Sequence, residues 1–124
     1  MEIRIAKVEG SDVAVVESSE VIIRDAQDAL DLMATIRYNH GCNMAVIDKE
    51  NITEDFFRLR TGLAGEILQK FTNYCFVVAI VGNFDMYDSK SLRDFIFESN
   101  RGKQVFFVKN RQSALELLQS HRTT

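Results

Sequence analysis

Apolar positions in this chain switch between two periods, and each switch marks an element. Glu2 to Val8 alternates, with Ile3 and Ile5 on one face, and Gly10-Ser11-Asp12 supplies turn chemistry. Val13 to Val16 is a continuous apolar run, so the two segments predict a hairpin of an edge strand and a better-buried one. Ser18-Ser19-Glu20 is a further turn, and Val21-Ile22-Ile23 leads on as a short extended piece. From Asp25 the period lengthens: Ala26, Ala29, Leu30, Met33 and Ile36 fall on one helical face. Asn39-His40-Gly41 stops that helix, with Gly41 as its left-handed cap.

The same alternation of periods continues. Met44 to Ile47 predicts a short buried strand, closed by Asp48-Lys49-Glu50-Asn51. Thr53 followed by Glu54 and Asp55 opens a helix, because acids favour its positive end. Glycine inside a helix costs about 1 kcal/mol against alanine, so Gly62 and Gly65 predict a bend near Thr61. A fresh helix then runs to Asn73 with Leu63, Ala64, Ile67, Leu68 and Phe71 inward. Phe76 to Val81 is the most hydrophobic strand, ended by Gly82 and a loop from Asn83 to Asp88. Ser89 caps a helix with Leu92, Phe95 and Ile96 inward, and Asn100-Arg101-Gly102 ends it. Gln104 to Val108 is the last strand, and Asn110 caps a helix carrying Ala114, Leu115, Leu117 and Leu118. The order β-β-α-β-α-β-α-β-α predicts an α/β fold: a mostly parallel five-stranded sheet with an N-terminal hairpin strand and right-handed crossovers.

Composition narrows the class. The 124 residues suit one α/β domain spanning the chain, and 46% hydrophobic with 27% charged residues is ordinary for a globular chain. The net charge of −3, with Lys and Arg scattered singly, excludes a general nucleic-acid binder. The N-terminus lacks an apolar signal region, and no apolar run reaches the about 18 residues of a membrane span. We therefore expect a cytoplasmic protein with Cys42 and Cys75 as buried free thiols.

The element order resembles that of the anti-sigma-factor-antagonist group, STAS or SpoIIAA-like. In that group a loop ends in Ser-Ser-Gly-Leu-Gly before an apolar helix. Here Arg60-Thr61-Gly62-Leu63-Ala64-Gly65 leads into Glu66-Ile67-Leu68, with Ala64 as an extra residue before Gly65. The group's phosphorylated serine precedes the Gly-Leu pair, and Thr61 holds that place. At closer range, DALDLM, NITEDFFRLRTGLAGEILQKF, AIVGNF and SLRDFIFESN resemble a bacterial family designated a domain of unknown function. That likeness implies a small bacterial cytoplasmic protein and transfers no activity.

Candidate chemistry is sparse. Thr61 with Arg60, Gly62 and Gly65 forms a helix entrance that either holds a phosphoryl group or partner, or is a helix cap with a bend-permitting glycine. Ligands of open α/β sheets bind beyond the strands' carboxyl ends, here Asp48, Glu50, Gly82, Asn83, Asp85 and Asn110. Asp25, Asp28 and Asp31 recur every three residues, a solvated helix start more than a cation site. His40, His121, Cys42 and Cys75 make no zinc spacing, and no P-loop, GxGxxG or GxSxG occurs, so we expect no metal, no cofactor and no enzyme. Adjacent phenylalanines such as Phe106-Phe107 point to opposite faces of a strand, so either both faces are covered or one ring marks an interface. The reading is a regulatory, protein-interaction domain switched at Thr61, with a protein partner or a second copy of the chain. The alternative is a small-molecule or lipid binder using the strand-end rim.

Overall fold

Each apolar run settles into the strand or helix its length allows. The computed structural model describes residues 1–8 and 10–120. Its five-stranded sheet has the order β1-β2-β3-β4-β5: β1 (Glu2–Val8), β2 (Ser11–Glu17), β3 (Met44–Asp48), β4 (Val77–Val81) and β5 (Val105–Val108). β1 pairs antiparallel with β2, from Glu2 opposite Glu17 to Val8 opposite Ser11, and the other three pairings are parallel. Between strands lie α1 (Ala26–His40), α2 (Leu63–Asn73) and α3 (Lys90–Asn100), and α4 (Arg111–Ser120) follows β5. The observed order is the one the sequence predicts.

Strand order that runs monotonically, with crossovers of one hand, puts every crossover helix on the same face. Side chains of α1, α2 and α3 accordingly join Ala14, Val16, Ala45, Ile47, Val78, Ile80 and Phe107 in one core. The alternate residues Val13, Val15, Met44, Val46 and Ala79 meet Ala114 and Leu118 of α4 on the other side. Burial on both faces is why these strands read as unbroken apolar runs. Phe106 and Phe107 are both buried, so both faces are covered there. Among the described phenylalanines the exposed ring is Phe97 on α3, with the Arg101 guanidinium 5.6 Å from its centroid.

Three expectations are corrected. On α1 the buried set contains Leu32 and leaves Leu30 half-buried, since Leu32 lies between Ala29 and Ile36 on the face turned to the sheet. The segment after Thr53 is no α-helix: it forms two 3-10 turns, Glu54–Phe57 and Leu59–Thr61, and Thr53 makes no side-chain cap bond. Cys75 is exposed, because it follows the end of α2 in a left-handed turn at φ 56° that carries it out of the core, while Cys42 is buried. His121 lies outside the described residues.

Candidate functional site

Gly62 decides the shape of the α2 entrance. It adopts φ 78°, a left-handed conformation that suits glycine, and so turns the chain from the 3-10 segment into the helix. Thr61 locks that turn. Its hydroxyl lies 2.9 Å from the carbonyls of both Asp55 and Arg58, to which it donates, and accepts from the Leu63 amide at 3.2 Å. Gly62, with no side chain, is thus the capping residue, and Thr61 braces it from one position earlier. Thr61, Gly62, Gly65 and Arg60 are all exposed. Arg58 beside them is paired with Asp55 at 2.9 Å.

An open groove of about 680 Å³ begins at this entrance, between Phe57, Arg58, Leu59 and Arg60 on one wall and Tyr87, Asp88, Ser89 and Ser91 on the other. Behind it lies a cluster that sequence reasoning missed. Lys49 leaves the end of β3 and is only 6% exposed. Its ammonium bonds Glu54 at 3.0 Å and sits 5.5 Å and 5.1 Å from the ring centroids of Phe57 and Tyr87, which stack on each other at 5.2 Å. The Tyr87 hydroxyl donates to the Glu54 carboxylate at 3.0 Å. A buried lysine with a carboxylate and two ring faces is a charge compensated from every side.

The protonation states follow. Burial works to lower the Lys49 pKa, but its ammonium's interactions with Tyr87 and Glu54 outweigh that, and the net shift is upward. Burial likewise works to raise Glu54, and Lys49 and then Tyr87 overcome it, so the carboxyl lies below its ordinary value. Burial pushes the Tyr87 phenol up. At neutral pH the cluster therefore holds an ammonium, a carboxylate and a neutral phenol, none poised near neutrality for proton transfer.

The strand-end rim does not converge. Asp48 turns toward the α4 side, where Arg111 reaches it at 3.5 Å and Glu17 at 3.2 Å. Glu17 also takes Arg4 at 3.1 Å, and Arg4 followed by Arg111 holds its carboxyl below the usual range. Glu50 is exposed. Gly82 is covered by the Lys49 side chain rather than left open as a ligand crevice. Asn83 accepts from the Asp85 amide at 3.0 Å in a local turn, and both residues are exposed. Asn110 accepts from Ser113 at 2.8 Å and so caps α4. Asp25 caps α1, Asp28 pairs with Arg24, and Asp31 accepts from Gln27. Among the described residues no group of three or more His, Cys, Asp or Glu could hold a metal ion. No helix among them is long and apolar enough to cross a membrane.

The sequence carried a faint sign of the missed cluster: a lysine directly after a buried strand, with aromatics at positions 56, 57 and 87. Nothing in the pattern showed that these would meet.

Comparison with known proteins places these features in a family. No curated protein matches the chain. Among solved structures the chain is similar to an anti-sigma-factor antagonist (STAS) domain protein from Planctomyces limnophilus, at 16% identity, covering 95% of this chain and 97% of that one, with a TM-score of 0.38. A likeness that distant assigns no role to any residue. The family described as Domain of unknown function (DUF4180) matches residues 8–118. The chain thus belongs to the DUF4180 family.

Proposed function

We propose that the chain is one α/β module that regulates through protein–protein contact, with the Thr61 helix entrance as its contact and switch surface. The observation that carries this reading is the conjunction at that entrance. Thr61, Gly62, Gly65 and Arg60 are exposed together, and the Thr61 hydroxyl holds the local turn through Asp55, Arg58 and Leu63. A phosphoryl group on Thr61 would replace a donor hydroxyl by a dianion and break both carbonyl bonds. Arg60 in the same turn, and Arg58 just before it once freed from Asp55, stand near to receive the charge. The motif Thr61-Gly62-Leu63 adds the resemblance to the anti-sigma-factor-antagonist loop.

The test is quantitative affinity capture from the source organism's lysate with phosphosite mapping, comparing the natural chain, Thr61→Glu and Lys103→Glu. Lys103 is exposed just before β5, at the opposite end of the strands from Thr61. The reading expects partners that are lost or gained with Thr61→Glu and unchanged with Lys103→Glu. Identical partner sets for all three proteins would retire it.

A further inference from the structure

Residues 82–89 join β4 to α3 without helix or strand. The Gly82 amide donates to the Val108 carbonyl at 2.9 Å; within the loop the Asp85 amide donates to the Asn83 side chain at 3.0 Å and the Tyr87 amide to the Phe84 carbonyl at 3.3 Å. Two side chains hold its middle down. Phe84 packs edge-on against Phe107 at 5.3 Å, and Tyr87 stacks on Phe57 and bonds Glu54. Between them Met86 is 65% exposed.

Two of the residues against Tyr87, Glu54 and Phe57, lie on the 3-10 turn Glu54–Phe57, and the third, Lys49, lies outside it. The Thr61 hydroxyl bonds the carbonyl of Asp55 in that same turn. One continuous path therefore runs from Thr61 through Asp55 to Glu54, and from Glu54 to Tyr87, with the Lys49 ammonium against Glu54 and both rings.

We propose that residues 82–89 form a strap, latched by Tyr87 over the aromatic floor of Phe57 and Phe107, and that the latch is coupled to the Thr61 hydroxyl. When Thr61 gives up the Asp55 carbonyl, the turn carrying Glu54 and Phe57 shifts. Tyr87 then loses its carboxylate acceptor and its stacking partner together, and the strap opens to expose the rings of Phe57 and Phe84. The inference deepens the preceding reading by naming the regulation of that surface. It rests on that reading only for its biological use, because the coupling is a property of the free chain. If Tyr87 served packing alone, the strap would be indifferent to Thr61.

Hydrogen exchange by mass spectrometry on the full chain, without a partner, tests it. The readout is the exchange rate of residues 84–88 relative to residues 78–80 in β4, a ratio that cancels global loss of stability. Thr61→Val, which keeps the shape and removes the hydroxyl, is expected to raise the ratio at least about fivefold. In a Tyr87→Phe background, where the latch is already broken, the same change moves it by less than about twofold. Glu54→Ala, which removes the carboxylate acceptor, supplies the broken-latch background if Tyr87→Phe does not fold. An unmoved ratio in Thr61→Val, or an equal increase in both backgrounds, overturns the coupling. Loss of a partner in Thr61→Glu with an unmoved ratio would retire the strap and leave the contact surface standing.

Discussion

A β-carbon at Gly82 would stand 2.7 Å from Cβ of Lys49 and 3.0 Å from its Cδ. The glycine that follows β4 is therefore there for Lys49, the residue that follows β3, not for its own backbone. The lysine stem runs across the vacated space to bring its ammonium between Glu54 and Tyr87. Because the first clash is with the root of the side chain, which cannot swing aside, Gly82→Ala must move backbone. We expect a loss of about 1–3 kcal/mol in urea unfolding. A change under about 0.5 kcal/mol would show that the two strand ends yield more easily than this packing allows.

The Lys49 stem and its charge make separable contributions. Lys49→Ala removes the aliphatic chain over Gly82 and is expected to cost about 2–3 kcal/mol. Lys49→Met keeps most of that volume, and the Glu54 side chain, 55% exposed, can return to water. Its cost should stay within about 1 kcal/mol. Equal losses in the two variants by denaturant unfolding would place the stabilisation in the ion pair instead.

Stability should fall at both ends of the pH scale for assignable reasons. Glu54 and Glu17 are held below their ordinary value of 4.5, and Asp28 below 3.8, so the folded state binds fewer protons than the unfolded one. Their contribution is present above those values and lost as pH drops through and below them. Lys49 and Tyr87 are shifted upward from 10.5 and 10.0, so what they contribute is present below those values and lost as pH rises past them. Thermal melts across pH should show a plateau between these limits. Glu54→Gln should flatten part of the acid limb and Tyr87→Phe part of the alkaline one. A variant whose limbs matched the natural chain would remove that residue from the explanation.

Cys75 offers a test of backbone strain. It is a non-glycine residue at φ 56°, and Cys75→Gly should stabilise by up to about 1 kcal/mol, read by urea unfolding. Its thiol should react rapidly with a thiol reagent in the native state. Cys42 should react only on unfolding, because it is buried and that burial pushes its thiol pKa up. Fast labelling that survived Cys75→Ser would contradict this placement.

Much of the fold was legible because its determinants are local. The apolar runs at Val13–Val16 and Phe76–Val81 need no partner to be recognised as two-sided strands, and Gly41 and Ser89 announce helix ends through their own backbone and side chain. The stretch from Thr53 to Thr61 was legible only as a break. Its acids and paired phenylalanines suit an α-turn, and the choice of 3-10 geometry comes from Phe56 and Phe57 entering the core together. The cluster behind the groove was hidden for a different reason. Lys49 sits in Asp48-Lys49-Glu50-Asn51, a string of polar residues that reads as a solvated turn. Its burial depends on Gly82 and Tyr87, more than thirty residues away. Arg111 and Glu17 are further apart still, and their ion pair exists only because α4 returns across the sheet.

If a partner meets this chain at the Thr61 entrance, site-specific photocrosslinking in the source organism captures it there. A photoreactive phenylalanine replaces Arg60 in one chain and Lys103 in another. We expect a discrete crosslinked protein from position 60, absent from position 103 and lost or replaced when Thr61→Glu is added. No adduct at position 60, or the same adduct from both positions, would contradict it.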